Sequence, residues 1–147
     1  MDEKVKKIDT PKKCEIFAKN CINRGQPDLA LQAKERAVEL RAENYGATSD
    51  VELEALKAVY AYEEVLSAKR GKKQRANRTW QMINRHGIIG AVERAVNRPV
   101  ETLGYTALID VGLEEYAFEN VILRYSGFFS EQAVKISKER VDQWAGL

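Results

Sequence analysis

Residues 49–68 read SDVELEALKAVYAYEEVLSA, a run of helix-forming residues without glycine or proline. Ser49 is followed three residues later by Glu52, the spacing of a capping box, which predicts that a helix begins after this serine. The apolar side chains that recur on one face at helical spacing are Ala55, Val59, Tyr62 and Leu66. The stretch therefore predicts an amphipathic helix that ends near Ala68, and it indicates a helical fold.

The residues before this helix predict an antiparallel helical hairpin. Thr10 followed by Pro11 is typical of a helix start, and this helix is expected to end near residue 23. A second helix is expected to end near Gly46. The Gly-x-Pro-x-x-Ala turn at residues 25–30 resembles one tetratricopeptide unit, but no second copy occurs at a matching period, so the fold is predicted to be non-repeating. The charged residues 1–9 lack a pattern and predict a loose terminus.

The residues after 68 predict five further helices. They are expected over residues 75–86, from Ile88 to the residues before Pro99, over 102–111, over 113–125, and after Ser130 as a cap. No stretch alternates at the period of a strand. The chain is long enough for one ordinary core. We therefore predict an all-α fold, a compact non-repeating bundle of seven or eight helices in a single domain over residues 10–147.

Basic residues are concentrated in one part of the chain. Residues 65–92 contain seven basic residues and no acidic one. The net charge over residues 65–98 is +8, whereas residues 14–64 and 99–147 each carry −4 and residues 1–13 carry +2. The near-neutral total of +2 therefore conceals one positive patch between two acidic flanks.

A lysine-rich loop followed by an arginine-bearing helix predicts a surface for polyanions. On a helix over residues 75–86, Arg78 and Arg85 lie opposite Ala76 and Ile83. Phosphate backbones are the commonest partner for so many cations, because each neutralised phosphate releases condensed counterions. The sequence predicts a non-enzymatic module that binds nucleic acid, DNA in preference to RNA, through its phosphates. The candidate nucleic-acid-binding residues are Lys69, Arg70, Lys72, Lys73, Arg75, Arg78, Arg85, Arg94 and Arg98.

The sequence is also compatible with other hypotheses for the function of this basic stretch. One is a protein-interaction or accessory subunit that docks a larger, acidic protein partner. Another is a solvated face that pairs internally with the acidic helices and contributes little energy. The acids available for such pairing are Glu52, Glu54, Glu63 and Glu64. A sharper nucleic-acid hypothesis is a helix-turn-helix around Gly87. Its exposed face would carry Glu93, Arg94, Asn97 and Arg98.

Catalytic patterns are sparse, and no enzyme activity, metal or cofactor is predicted. The single histidine is His86, and neither Cys-x-x-Cys nor His-Glu-x-x-His spacing occurs. No glycine-rich loop ends in the Lys-Ser/Thr that holds a nucleotide phosphate. The one enzyme hypothesis is a metal-dependent nuclease that uses Glu63, Glu64 and Lys69.

Cysteine spacing and hydropathy predict a cytoplasmic protein. Cys14 and Cys21 lie seven residues apart in one predicted helix, about 10 Å along its axis. This separation is too long for a disulfide, so two reduced thiols are expected. The chain has no apolar run of 18 residues and no signal-peptide core after residues 2–4.

Overall fold

The computed structural model describes residues 1–98 and 105–146, and its regular structure in these ranges is entirely helical. The described helices are α1 (Glu3–Lys6), α2 (Pro11–Asn23), α3 (Pro27–Tyr45), α4 (Asp50–Arg70), α5 (Asn77–Val96), α6 (Tyr105–Asp110), α7 (Phe118–Arg124) and α8 (Glu131–Ala145). Two single 3₁₀ turns cover Glu114–Tyr116 and Ser126–Phe128. The predicted all-α fold of seven or eight helices is confirmed for this part of the chain.

The chain divides into two compact units, Met1–Ala47 and Thr48–Leu147. The first contains α1 to α3, and the second contains α4 to α8. None of the described helices is both long and apolar enough to cross a lipid bilayer. The organisation of residues 10–147 as a single domain stays a prediction.

In the first unit, α2 and α3 pack together as the predicted hairpin. The Thr10 side chain caps α2 by accepting a hydrogen bond from the Lys13 N–H at 3.2 Å. Small side chains fill the interface and allow the two helices to approach closely. One buried cluster consists of Ala18, Cys21, Ala30 and Ala33, and a second consists of Cys14, Ala37 and Leu40.

The N-terminal residues differ from the predicted loose terminus over 1–9. They form the short helix α1, in which Val5 is fully buried, and α1 contacts α3. The Arg36 Nε–H of α3 donates a hydrogen bond to the Ile8 carbonyl at 3.2 Å. Val5 and Ile8 order this segment, because Val5 is fully buried and Ile8 packs against the cluster of Cys14, Ala37 and Leu40.

Both thiols of the first unit are free and buried. Burial raises the pKa of Cys14, so less of this thiol is the reactive thiolate at pH 8. We expect Ellman's reagent to modify the folded protein at least about tenfold more slowly than the urea-unfolded chain, in which two thiols react freely. Equal rates in the two states would contradict the burial of these side chains.

In the second unit, α4 contacts α5, α6 and α7, so it forms the centre of the packing. The predicted cap is present, because Ser49 Oγ accepts the Glu52 N–H at 3.3 Å and donates to Glu52 Oε1 at 3.2 Å. The helix ends at Gly71, whose φ of 73° is left-handed. Lys69 and Arg70 therefore belong to α4, two residues beyond the predicted end.

Helix α5 is bent at Gly87, where a φ of 78° and a ψ of 172° interrupt the helical backbone. The predicted break at this glycine is confirmed, because this backbone region is essentially restricted to glycine. The predicted start at residue 75 is wrong, since α5 begins at Asn77. Arg75 and Ala76 instead belong to the loop that precedes the helix.

Replacing Gly87 by alanine is expected to lower the free energy of unfolding by about 1–3 kcal/mol, because alanine is strained at this backbone conformation. No neighbouring atom lies within 4 Å of the added Cβ, so backbone strain alone causes the loss. Gly127→Ala is the control, because a Cβ there is also in open space. Urea unfolding monitored by circular dichroism measures both variants, and an unchanged midpoint for Gly87→Ala would contradict the strain.

The prediction of one helix over residues 113–125 is wrong. The 3₁₀ turn Glu114–Tyr116 ends at Ala117, whose φ of −59° and ψ of 143° are not helical, and α7 begins after it. The Asn120 side chain donates to the Glu114 carbonyl at 3.3 Å. A hydrogen bond from a side chain to a backbone carbonyl competes with the backbone hydrogen bonds of a continuous helix.

The remaining C-terminal predictions fall partly outside the described residues. Helix α6 lies within the predicted helix over 102–111, of which residues 102–104 are not described. The predicted cap at Ser130 is confirmed, since its hydroxyl accepts the Ala133 N–H at 3.1 Å. Helix α8 contacts α5 and α7.

Candidate nucleic-acid interface

The nine predicted binding residues lie on the end of α4, on the loop at residues 71–76 and on α5. Eight of them are exposed, and Arg98 is half-buried. The seven that precede the bend at Gly87 follow one another along the end of α4, the loop and the first half of α5, and we call them the basic segment. They are Lys69, Arg70, Lys72, Lys73, Arg75, Arg78 and Arg85. Arg94 and Arg98 lie beyond the bend.

Ser67 of α4 closes the loop of the basic segment. Its hydroxyl accepts the Gln74 N–H at 2.9 Å and donates to the Gln74 carbonyl at 3.4 Å. The Gly71 N–H donates to the Ser67 carbonyl at 2.9 Å. These bonds fix both ends of a short loop that has Lys72 and Lys73 exposed between them.

Glu63 of α4 anchors the start of α5. Its side chain is only 10% exposed, and Oε2 accepts three hydrogen bonds. The donors are Arg75 Nε at 2.9 Å, the Ala76 N–H at 2.8 Å and Trp80 Nε1 at 2.7 Å. The N-cap residue of α5 is Ala76, whose side chain cannot accept a hydrogen bond. The Glu63 carboxylate instead supplies a negative charge, which stabilises the N-terminus of the helix.

Arg75 is both paired and accessible. Its guanidinium lies 5.2 Å from the centre of the Trp80 ring, and its side chain remains 54% exposed. Tyr60 also packs against Trp80, with its ring centre 5.3 Å from that of Trp80. Only Nε is committed to Glu63, so the outer guanidinium nitrogens can still donate to a ligand.

The other cations of the basic segment have no carboxylate partner among the described residues. Within residues 1–98 and 105–146, Glu63 is the one acid that forms an ion pair with the segment. Arg70 bonds the side-chain amide of Gln74 instead. Arg78 and Arg85 are exposed on one face of α5, two turns or about 10 Å apart. In the part of the chain that the structure describes, internal pairing with acidic helices is therefore confined to Arg75.

The helix-turn-helix hypothesis is wrong for this structure. A single glycine separates the two halves of α5, whereas that motif uses a turn of three or four residues. Part of the face predicted to read bases contacts other elements: Glu93 Oε1 accepts the Ser130 N–H at 2.6 Å. The Arg98 carbonyl accepts a hydrogen bond from Arg140 of α8 at 3.0 Å. These contacts, which local sequence patterns do not encode, occupy part of this face, whereas Arg94 stays exposed.

A pocket of about 400 Å³ opens beside the basic segment, within the second unit. Residues of α4, α5, α6 and the start of α7 line it. Arg75, Arg78 and Arg98 contribute its positive charge, and Leu66 and Phe118 belong to its apolar wall. Sequence analysis does not identify this pocket, because its walls come from elements that are distant along the chain.

The described geometry does not favour the nuclease hypothesis. Across the described ranges, no three His, Cys, Asp or Glu side chains are grouped so that they could hold a metal ion. Glu63 uses its Oε2 to accept the donors at the start of α5, and Lys69 is exposed at the end of α4. Glu63 thus acts as a positioning residue for the basic segment.

Comparison of the chain with protein-family models, with curated proteins and with solved structures finds no match. The residues of the site themselves indicate its chemistry. They provide exposed cations that have no carboxylate partner among the described residues, on a fixed loop and helix next to a pocket with an apolar wall.

Proposed function

We propose that this chain is a non-enzymatic module that binds nucleic acid through phosphate contacts of the basic segment. The observation that carries the proposal is that six of its cations are exposed and have no carboxylate partner in the described part of the chain. They are Lys69, Arg70, Lys72, Lys73, Arg78 and Arg85. Such cations can neutralise phosphates without breaking an internal ion pair, and counterion release then drives binding.

The fixed conformation of the loop supports the same function. Ser67 and Glu63 hold the loop at both ends, so Lys72 and Lys73 are presented without a large loss of backbone entropy on binding. Arg78 and Arg85 can donate two parallel hydrogen bonds each to phosphate oxygens. Arg94 is exposed on the second half of α5 and can extend this surface.

We propose DNA as the preferred nucleic acid, because an exposed helix fits the major groove of B-form DNA. The major groove of A-form RNA is too narrow and deep for side chains to read. The proposed location is cytoplasmic, a compartment in which the two free thiols of Cys14 and Cys21 are kept reduced.

Fluorescence anisotropy with a labelled DNA duplex, the matching RNA duplex and labelled polyglutamate tests this proposal. At physiological salt we expect a dissociation constant for DNA in the range of about 1–100 μM, which is typical of non-specific phosphate binding. RNA is expected to bind more weakly, and polyglutamate, which imitates an acidic protein, more weakly still. Absence of DNA binding, or tighter binding of polyglutamate, would contradict the proposal.

A further inference from the structure

The pocket beside the basic segment combines apolar walls with positive charge. Its volume of about 400 Å³ lies in the range of small-ligand sites. The walls include Leu66, Met82 and two aromatic rings, Tyr62 and Phe118, whose centres lie 6.4 Å apart in an edge-to-face arrangement. A planar apolar group can therefore contact both ring systems and aliphatic side chains inside this pocket.

Two arginines of the pocket have no acidic partner in the described ranges. Arg78 is exposed, and the Arg98 guanidinium contacts the thioether sulfur of Met82 at 3.7 Å. Burial raises the pKa of the Tyr62 phenol, and the charges of Arg98 and Arg78 partly oppose this increase. Tyr62, Arg78 and Arg98 all line the pocket, so both guanidiniums act on a group at its wall.

Among the described lining residues of the pocket, one is a carboxylate, and it is already neutralised. Glu119 pairs with Arg140 at 3.1 Å, and the two side chains are only 11% and 13% exposed. The ion pair belongs to the packing of α7 against α8. The unpaired charge of the described pocket lining is therefore positive, which favours an anion.

We infer that the pocket accepts one unpaired nucleobase of a nucleic acid whose phosphates lie on the basic segment. This inference rests on the proposed function. Arg75 and Arg78 belong both to the basic segment and to the pocket lining, so a strand on that segment passes the pocket opening. A base has flat apolar faces for the pocket walls, and its adjoining phosphate is placed to meet the two arginines.

The inference adds a preference that phosphate contacts alone do not provide. A base within a duplex is stacked and paired, and entering the pocket would require its extrusion at an energetic cost. A base at a single-stranded end or gap avoids that cost. The expected ligand class is therefore DNA with an unpaired nucleotide next to a duplex.

Three DNA ligands that share one labelled duplex test the inference by anisotropy. One is blunt, one carries a single unpaired nucleotide at its 3′ end, and one carries an abasic nucleotide there, which adds the phosphate without the base. We expect the unpaired base to strengthen binding about tenfold relative to the abasic end, since base stacking on aromatic side chains accounts for effects of this size. Leu66→Trp fills the pocket and is expected to remove this difference while blunt-duplex binding stays unchanged.

A second measurement does not depend on a variant. When 2-aminopurine is the unpaired base, binding is expected to shield its fluorescence from quenching by acrylamide, because the base is enclosed in the pocket. Equal binding of the base and abasic ends, or full acrylamide quenching in the complex, would overturn the inference but leave the proposed function intact. Failure to bind any of the three ligands would overturn both.

Discussion

Reversing the charge of Lys72 and Lys73 is expected to weaken the binding of duplex DNA by roughly 100-fold at constant salt, because each lysine gives up a charge-assisted bond worth about 1.5 kcal/mol. The two residues lie exposed on the closed loop, and neither has a carboxylate partner in the described part of the chain. The glutamates also add repulsion toward the phosphates. Anisotropy titrations of Lys72→Glu/Lys73→Glu against the wild type measure this loss.

The matched control reverses two other exposed lysines, Lys135 and Lys138 of α8. Lys135→Glu/Lys138→Glu changes the net charge of the protein by the same amount, but it lies outside the basic segment. We expect this control to alter DNA affinity by less than about threefold, the effect of long-range charge alone. An equal loss in both double variants would contradict a local binding surface, as would no loss in either.

Replacing Glu63 by alanine is expected to lower the free energy of unfolding by about 3 kcal/mol, because buried donors lose their acceptor. The Ala76 N–H and Trp80 Nε1 both donate to Oε2 of this carboxylate. Arg75 adds little to the loss, because more than half of its side chain is already exposed to water. Urea unfolding of the variant measures the change.

Two further variants separate the causes of that loss. Glu63→Gln keeps a side-chain oxygen as an acceptor but removes the negative charge, so a smaller loss of about 1 kcal/mol is expected from the ion pair and the helix N-terminus. Glu139→Ala changes an exposed glutamate of α8 and is expected to alter stability by less than about 0.5 kcal/mol. If Glu63→Ala is no worse than Glu139→Ala, Glu63 does not anchor α5.

The helix boundaries that the sequence predicts well are those encoded by neighbouring residues. Thr10 and Ser130 accept hydrogen bonds from the backbone three residues later, as their spacing predicts. Gly87 interrupts α5 because its own backbone adopts a conformation that other residues avoid. Each of these signals acts within one helical turn, so a local pattern is sufficient to locate it.

The features that the sequence misses depend on contacts between distant residues. Glu63 determines where α5 begins, although 13 residues separate it from the Ala76 N–H that it accepts. One feature of the sequence indicates this role. Glu63 lies four residues after Val59, on the apolar face of α4, and a carboxylate buried there requires a polar partner. The face of Arg98 was predicted to be exposed, but α8 contacts it from 42 residues away.

The candidate site also has features that the local sequence predicts and features that depend on contacts between distant residues. Concentration of charge is a property of the sequence, and it is sufficient to identify the basic segment. Which cations are left without a carboxylate partner is a property of the packing, and only Arg75 is paired in the described ranges. The neighbouring pocket has no sequence signature, since Leu66 and Phe118 meet there from different helices.

The salt dependence of DNA affinity tests the phosphate-binding claim most directly. For the wild type we expect the logarithm of the association constant to fall linearly with the logarithm of the salt concentration. Lys72→Ala is expected to make this slope shallower by about 0.9, one phosphate contact, whereas Lys135→Ala leaves it unchanged. An affinity that does not depend on salt, or no binding at the lowest salt, would contradict the claim.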